Sequence, residues 1–217
     1  MTKVRILKEG DLDFAKSLTD VEEWGNSIED WQRLLRISIP LVAYKGDELL
    51  GVTTAFDYGI LGMIGNVVVS ENSRGKGVGQ ALVKEAMNRL ESCKTVRLHS
   101  KMDVVSFYKD LGFFPEGMST FFRLDGDMKS FQPFVIGSDV NIVPAEGYLD
   151  EILEMDKRQF VGDRSKFIKD LNSHLPECSF VALGEDGSVK GFILAKGEHN
   201  WYEVGPWIVE PGCKNWQ

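Results

Sequence analysis

The chain has 217 residues, 43% of them hydrophobic, enough to build one large domain or two small ones. Its formal net charge is −8 and its pI is near 5.0. It has no long basic cluster, so a nucleic-acid groove is not expected. No apolar run approaches the roughly 18 residues that a membrane helix needs. Met1-Thr2-Lys3-Val4-Arg5 lead into a strand and not a signal peptide. Cys93, Cys178 and Cys213 are odd in number and far apart, which reads as free thiols in a reducing cytoplasm. His99, His174 and His199 lack metal-ligand spacing, so no metal is expected.

In chain order, Val4–Leu7 reads as a short strand, and Leu12–Leu18 and Ile28–Ile37 as helices. Pro40 is expected to end the second helix, with Leu41–Tyr44 beginning a strand. Lys45-Gly46-Asp47-Glu48 is a hairpin turn into Leu49–Phe56, and Leu61–Ser70 is the next strand. A helix starts at about Val78. Val78, Leu82, Ala86 and Leu90 recur at helical spacing, while Lys84, Glu85, Asn88, Arg89 and Glu91 lie off that stripe. Val96–His99 is a strand, Val104–Leu111 a short helix, and Phe113–Pro115 with Thr120–Leu124 a closing hairpin.

Between the strand Val67-Val68-Val69 and its following helix stands Arg74-Gly75-Lys76-Gly77-Val78-Gly79. A glycine-rich turn there leaves backbone N–H groups at the positive end of the helix dipole, an arrangement that holds phosphate. The Walker pattern needs Gly-Lys-Ser/Thr, but Gly77 follows Lys76. The dinucleotide fingerprint needs Gly-x-Gly-x-x-Gly, but Gly75, Gly77 and Gly79 alternate throughout. What fits is Arg-x-x-Gly-x-Gly, on Arg74, Gly77 and Gly79. Here the chain resembles the GNAT superfamily of N-acetyltransferases, whose coenzyme A loop has this pattern after a central strand. The stretch Ile64–Ser73 is similar to that family's fourth strand and its exit. Ser106–Phe113 looks like its second signature, Tyr-x-x-x-Gly-Phe, on Tyr108, Gly112 and Phe113. The resemblance covers roughly residues 3–125. It implies an α/β (α+β) fold with a mixed, mostly antiparallel sheet flanked by helices.

The resemblance also implies transfer of an acetyl group from acetyl-CoA to an amine, without a metal. The loop N–H groups from Gly75 through Lys76, Gly77 and Val78 to Gly79, with Gln80 in the first helical turn, would hold the pyrophosphate. Arg74 and Lys76 would add charge. Val67, Val68 and Val69 would offer main-chain groups to the pantetheine arm, their side chains being core. Tyr108 would supply a proton to the leaving thiolate, since a phenol of pKa about 10 can donate to a thiolate whose acid has pKa about 8.5. An ammonium is not a nucleophile, so a base must take its proton. Several family members use a glutamate early in the fourth strand, but Ile60-Leu61-Gly62-Met63-Ile64 contains no carboxylate. Glu22, Glu23, Asp57 and a backbone-held water remain, although Asp57 also reads as a turn residue in Asp57-Tyr58-Gly59. In the family the connection at residues 20–30 covers the acceptor. Here it carries five acids and no basic residue. Trp24 and Asn26 are its candidate substrate residues, Trp24 through a cation–π face. The same stretch also reads as a solvated loop whose Glu29 and Asp30 favour the next helix N-terminus.

The second half copies the first. Leu41-Val42-Ala43-Tyr44 resembles Phe180-Val181-Ala182-Leu183, and Ile64-Gly65-Asn66-Val67-Val68-Val69 resembles Val204-Gly205-Pro206-Trp207-Ile208-Val209. Gly51 and Gly191, like Gly65 and Gly205, share one offset of about 140 residues, which argues for two copies of one domain. The expected division is 1–128 and 129–217. After Val209 no Arg-x-x-Gly-x-Gly follows, and Pro211 has no N–H to offer, so one coenzyme site is expected, in the first copy. A partial copy would bare the edge of Trp201–Val209. The expectation is then a longer natural chain, or pairing of that edge within the chain or in a homodimer. The tandem arrangement and Trp24-Gly25-Asn26 look like a bacterial and archaeal subgroup of two-domain acetyltransferases. The leading reading is an enzyme acetylating a primary amine of a small molecule or peptide. The others are an acyl-CoA-binding regulatory or sensor module without turnover, and a structural protein that assembles through its second half.

Overall fold

The computed structural model describes residues 1–124, 126, 141–198 and 201–211. They form two compact units, one of residues 1–102 with 156–170, the other of the described residues among 103–155 and 171–217. In chain order the elements are β1 (Lys3–Ile6), α1 (Leu12–Val21), α2 (Ile28–Ile37), β2 (Ile39–Lys45), β3 (Glu48–Asp57) and β4 (Leu61–Val69). They continue with α3 (Val78–Arg89), β5 (Thr95–Leu98), α4 (Val105–Asp110), β6 (Asn141–Pro144) and α5 (Leu149–Gln159). The last are α6 (Ser165–His174), β7 (Phe180–Leu183), β8 (Val189–Glu198) and β9 (Trp201–Val209).

The sheet of the first unit runs β1-β2-β3-β4-β5. All its neighbours are antiparallel except β4 and β5, which are parallel. Side chains alternate across a strand, and this separates two layers. Val42, Val52 and Val68 join Leu7, Leu12, Ala15, Leu18 and Trp31 in a core under α1 and α2. Gly51, next to Val52, points the other way. A Cβ there would stand 2.7 Å from the Val68 carbonyl oxygen and 3.2 Å from Leu82 on α3. Glycine therefore lets α3 approach the second face, where Leu82, Val83, Ala86 and Leu90 are buried.

Two sequence expectations are corrected here. Pro40 lies inside β2, paired with Thr54, and does not itself end α2. The helix stops at Ser38, whose N–H and hydroxyl both donate to the Leu34 carbonyl, at 3.0 and 2.6 Å. Ile39 is then extended, as a residue before proline prefers. The closing hairpin is also absent. Residues 111–124 contain no strand, and Phe114, Phe121 and Phe122 are exposed. A strand exists only through its ladder, and neither apolar run finds one among the described residues.

At the β3–β4 turn the Gly59 N–H donates to Asp57 at 2.8 Å, and the Tyr58 N–H to the Leu61 carbonyl at 2.9 Å. Residues 156–170 pack on this turn. The Tyr58 and Phe160 rings meet edge to face at 5.5 Å, and the Asp163 N–H donates to the Tyr58 carbonyl at 2.8 Å. Arg164 grips buried Asp156 at 2.7 and 3.0 Å and lies 4.0 Å over the Phe160 ring.

The sheet of the second unit runs β6-β7-β8-β9, and it repeats the register of the first. Ala43 faces Gly51 as Ala182 faces Gly191, and Gly51 faces Val69 as Gly191 faces Val209. The register shift at Val52/Thr54 returns at Ile193/Ala195. The copy read in the sequence is thus a copy of hydrogen-bond pattern. Cys93 and Cys178 are free thiols. The 128/129 boundary, His199 and residues 212–217, with Cys213, lie outside the described residues.

Candidate active site

The site begins with an irregularity in β4. Thr53 on β3 stands opposite both Asn66 and Val67, and Asn66 takes a φ of +50°. The Thr53 hydroxyl donates to the Gly65 carbonyl at 2.9 Å. Such a bulge bends a strand. β5 follows β4 only from Leu61 opposite Thr95 to Ile64 opposite Leu98. Beyond Ile64, β4 pairs with β3 alone among the described strands. One main-chain edge of Gly65–Val69 therefore faces no described strand. Val68 is buried in the core, and Val67 and Val69 are half-buried.

After β4 the chain makes one tight turn, Glu71–Ser73, closed by the Ser73 N–H on the Ser70 carbonyl at 2.8 Å. Gly75 and Gly77 follow with φ of +71° and +80°. A Cβ at either would touch nothing within 4 Å, so conformation and not space requires glycine. Gly77 caps α3, its carbonyl accepting from the Ala81 N–H at 3.0 Å. The N–H groups of Val78, Gly79 and Gln80 are first-turn donors without an intrahelical acceptor. No acidic residue lies in that turn to compete for them.

The charged side chains nearby are already engaged. Arg74 donates to the Val69 carbonyl at 3.1 Å and to Glu22 at 2.9 Å. Lys101 reaches the other Glu22 oxygen at 2.8 Å and lies 5.9 Å over the Trp24 ring. Lys76 donates to the Asn72 carbonyl at 2.7 Å. The Lys101 hydrogen bond, aided by the charges of Lys101 and Arg74 and opposed by partial burial, holds the Glu22 carboxyl below the usual range. The acidic connection is thus partly neutralised by the protein's own cations. No sequence spacing marks Lys101, which is 79 residues from its partner.

Glu23 is exposed and left-handed, with φ of +56°. It sits just past α1, whose end is closed by the Glu23 N–H on Asp20 and the Trp24 N–H on Thr19, both at 3.0 Å. Glycine normally fills that position. Asn26 is half-buried and precedes Ser27, which starts α2 in a reciprocal cap with Asp30. Asp57 lies at the opposite end of β4 from the glycine loop, facing Gly62. The strand from Gly62 to Val69 spans about 23 Å at the usual rise. Asp57 also accepts from Cys93 at 3.5 Å.

Tyr108 belongs to the second unit, on α4, and is buried. Its carbonyl accepts the Phe113 N–H at 3.1 Å, while the Gly112 N–H donates to Lys109 at 3.0 Å. Gly112 has φ of +93°. The Tyr-x-x-x-Gly-Phe spacing is therefore that of a glycine helix cap. Phe107 and Phe113 meet the Tyr108 ring edge to face at 4.9 and 6.1 Å. Burial pushes the phenol pKa up, so it keeps its proton at neutral pH.

Residues 37–115 match the family model of the acetyltransferase (GNAT) domain. That segment of the chain is therefore similar to GNAT acetyltransferase domains. The chain is 33% identical over 93 residues to an uncharacterized N-acetyltransferase, ycf52, of Pyropia yezoensis, a match covering 40% of this chain. The match covers 53% of that relative, so the chain spans about half its length. Among solved structures, a proposed acetyltransferase from Pyrococcus horikoshii shares the fold across both halves. Its TM-score is 0.68 at 18% identity, over 96% of this chain and 71% of that one. A Trypanosoma brucei acetyltransferase has TM-score 0.50 at 22% identity, over 57% of this chain and 100% of that one. Among the described residues no helix is long and apolar enough to cross a membrane.

Proposed function

We propose that the chain is an acetyl-CoA-dependent N-acetyltransferase acting on a primary amine of a small molecule or an exposed peptide, in the cytoplasm. The observation that carries this reading is the junction of β4 and α3. There the first-turn N–H groups of α3 lie beside left-handed Gly75 and Gly77 and follow a strand whose Gly65–Val69 edge faces no described strand. Backbone donors at a helix N-terminus suit a pyrophosphate, and a free strand edge suits the amides of a pantetheine arm. The coenzyme-binding set is Val67, Val68, Val69, Arg74, Gly75, Lys76, Gly77, Val78, Gly79 and Gln80. Trp24 and Asn26 face the acceptor in this reading, and Glu23 or Asp57 takes its proton. The neutral amine attacks the thioester carbonyl, the carbon–sulfur bond breaks, and the thiolate is met by the Tyr108 hydroxyl. In this reading residues 1–128 form the transferase domain and 129–217 a partial second copy of its scaffold.

Thiol release from acetyl-CoA across a panel of primary amines tests the proposal, together with coenzyme A titration of wild type and Gly77→Glu. Amine-dependent release is expected. A carboxylate beside the loop donors should weaken coenzyme binding by about tenfold or more, since it places a like charge against the phosphates. Coenzyme binding that no amine converts into thiol release would favour a sensor. Binding untouched by Gly77→Glu would move the site elsewhere.

A further inference from the structure

Arg33 on α2 is a buried cation, its side chain 9% exposed. Its Nε donates to Asp170 at 2.7 Å, and its Nη1 to Asp30 at 3.3 Å. Asp30 has a second task. Its other carboxylate oxygen accepts from the Ser27 N–H at 3.2 Å and the Ser27 hydroxyl at 3.4 Å, and the Asp30 N–H returns a bond to Ser27 at 3.0 Å. Ser27 is where residues 20–30 enter α2. The other end of that connection is held by the Trp24 N–H on Thr19. Trp24, Gly25 and Asn26 therefore hang between two anchors. One anchor is local. The other runs through Asp30 and Arg33 to a residue 137 positions from Arg33.

We infer that Asp170 is a positioning residue for the acceptor connection, acting through Arg33 and Asp30. The inference rests on the proposed reading of residues 20–30 as the cover of the acceptor. A buried guanidinium cannot be left half-paired without cost. With Asp170 present, Arg33 is balanced from two sides, and Asp30 can turn one oxygen wholly to Ser27. Without Asp170, Asp30 is the carboxylate left on Arg33. It is drawn from Ser27, and the entry to α2 loosens. Arg36, 3.5 Å from the second Asp170 oxygen and more exposed, swings to solvent at little cost and does not replace that contact.

Amide hydrogen exchange on the full chain tests this, with Asp170→Ala, Asp170→Glu, Ser27→Ala and the Asp170→Ala/Ser27→Ala double variant. Asp170→Ala should quicken exchange at residues 25–28 by about tenfold, leaving the interior of α3 unchanged, because the opening is local. Asp170→Glu should restore most of the protection, and the double variant should match Ser27→Ala at the loop, because both act through one anchor. With an amine that supports thiol release, Asp170→Ala should raise its KM by about tenfold and leave the KM for acetyl-CoA within about twofold, the pattern of lost acceptor binding. Unchanged exchange at residues 25–28, a uniform rise across the unit, or additive effects in the double variant would overturn the inference. Should Asp170→Ala not fold, Asp170→Asn is read by the same criteria. If the wild type binds no coenzyme A, the transferase reading falls, while the exchange pattern still decides whether Asp170 holds the connection.

Discussion

At the scale of single residues, Glu23 stands out because its backbone and its side chain make different demands. The position after α1 needs a left-handed residue, and a non-glycine there is strained by about 1 kcal/mol. Glu23→Gly should therefore raise stability by about 0.5–1 kcal/mol, seen as a rise of a few degrees in Tm. Glu23→Gln keeps the strain and removes only the carboxylate. If Glu23 is the base, both variants lose thiol release and only the glycine variant gains stability. If both retain full release in the amine assay, Glu23 has no part in proton removal, and its left-handed backbone is strain without a chemical role. Asp57 offers the contrasting case, since its carboxylate already closes the β3–β4 turn.

At the scale of elements, glycines mark where layers touch. A Cβ on Gly51 would press on the Val68 carbonyl at 2.7 Å, and one on Gly191 on the Ile208 carbonyl at 3.0 Å. The two positions are equivalent in register. Gly51→Ala and Gly191→Ala should each destabilise by about 1–3 kcal/mol, the usual cost of overpacking, with Gly51→Ala the more costly because it also meets Leu82. Urea unfolding followed by tryptophan fluorescence measures this. A neutral Gly51→Ala would mean that β3 and β4 separate without cost. These contacts explain what could be read from sequence. A glycine needed for close approach is visible as a glycine, and its recurrence marks the repeat in the sequence itself. The same holds for Gly75, Gly77 and Gly112, whose backbone geometry only glycine adopts freely. Lys101 and Asp170 carry no such mark. They act through side-chain contacts between distant segments, and a lysine or aspartate on a polar surface looks alike whether it is solvated or paired. The Phe113–Leu124 stretch misled for a related reason: apolar residues suggest a strand, but only a partner strand makes one.

At the scale of the molecule, the first unit is completed by residues far along the chain. Residues 156–170 cover Tyr58 with Phe160 and with the Asp156–Arg164 pair, and the phenol titrates high as a result, its pKa pushed up to about 12. Burial is the main cause, Arg164 opposing it and Asp156 adding to it. The sign of the linkage follows. The unfolded tyrosine loses its proton near 10.0, while the folded one keeps it until about 12. Between those values the unfolded state binds fewer protons, so stability falls as pH rises through this window and is unaffected below it. Lifting the cover should bring the folded value back toward 10.0. Phe160→Ala, which keeps the Asp156–Arg164 pair, is expected to lower the Tyr58 transition, followed by ultraviolet absorbance of tyrosinate with Tyr58→Phe as the blank. The variant should also flatten the alkaline loss of stability between pH 10 and 12. A Tyr58 transition that stays near 12 in Phe160→Ala would mean that the β3–β4 turn buries its own ring. Residues 156–170 would then hold the first unit through the Asp163 N–H on the Tyr58 carbonyl and the grip of Asp170 on Arg33, and not by covering the Tyr58 ring.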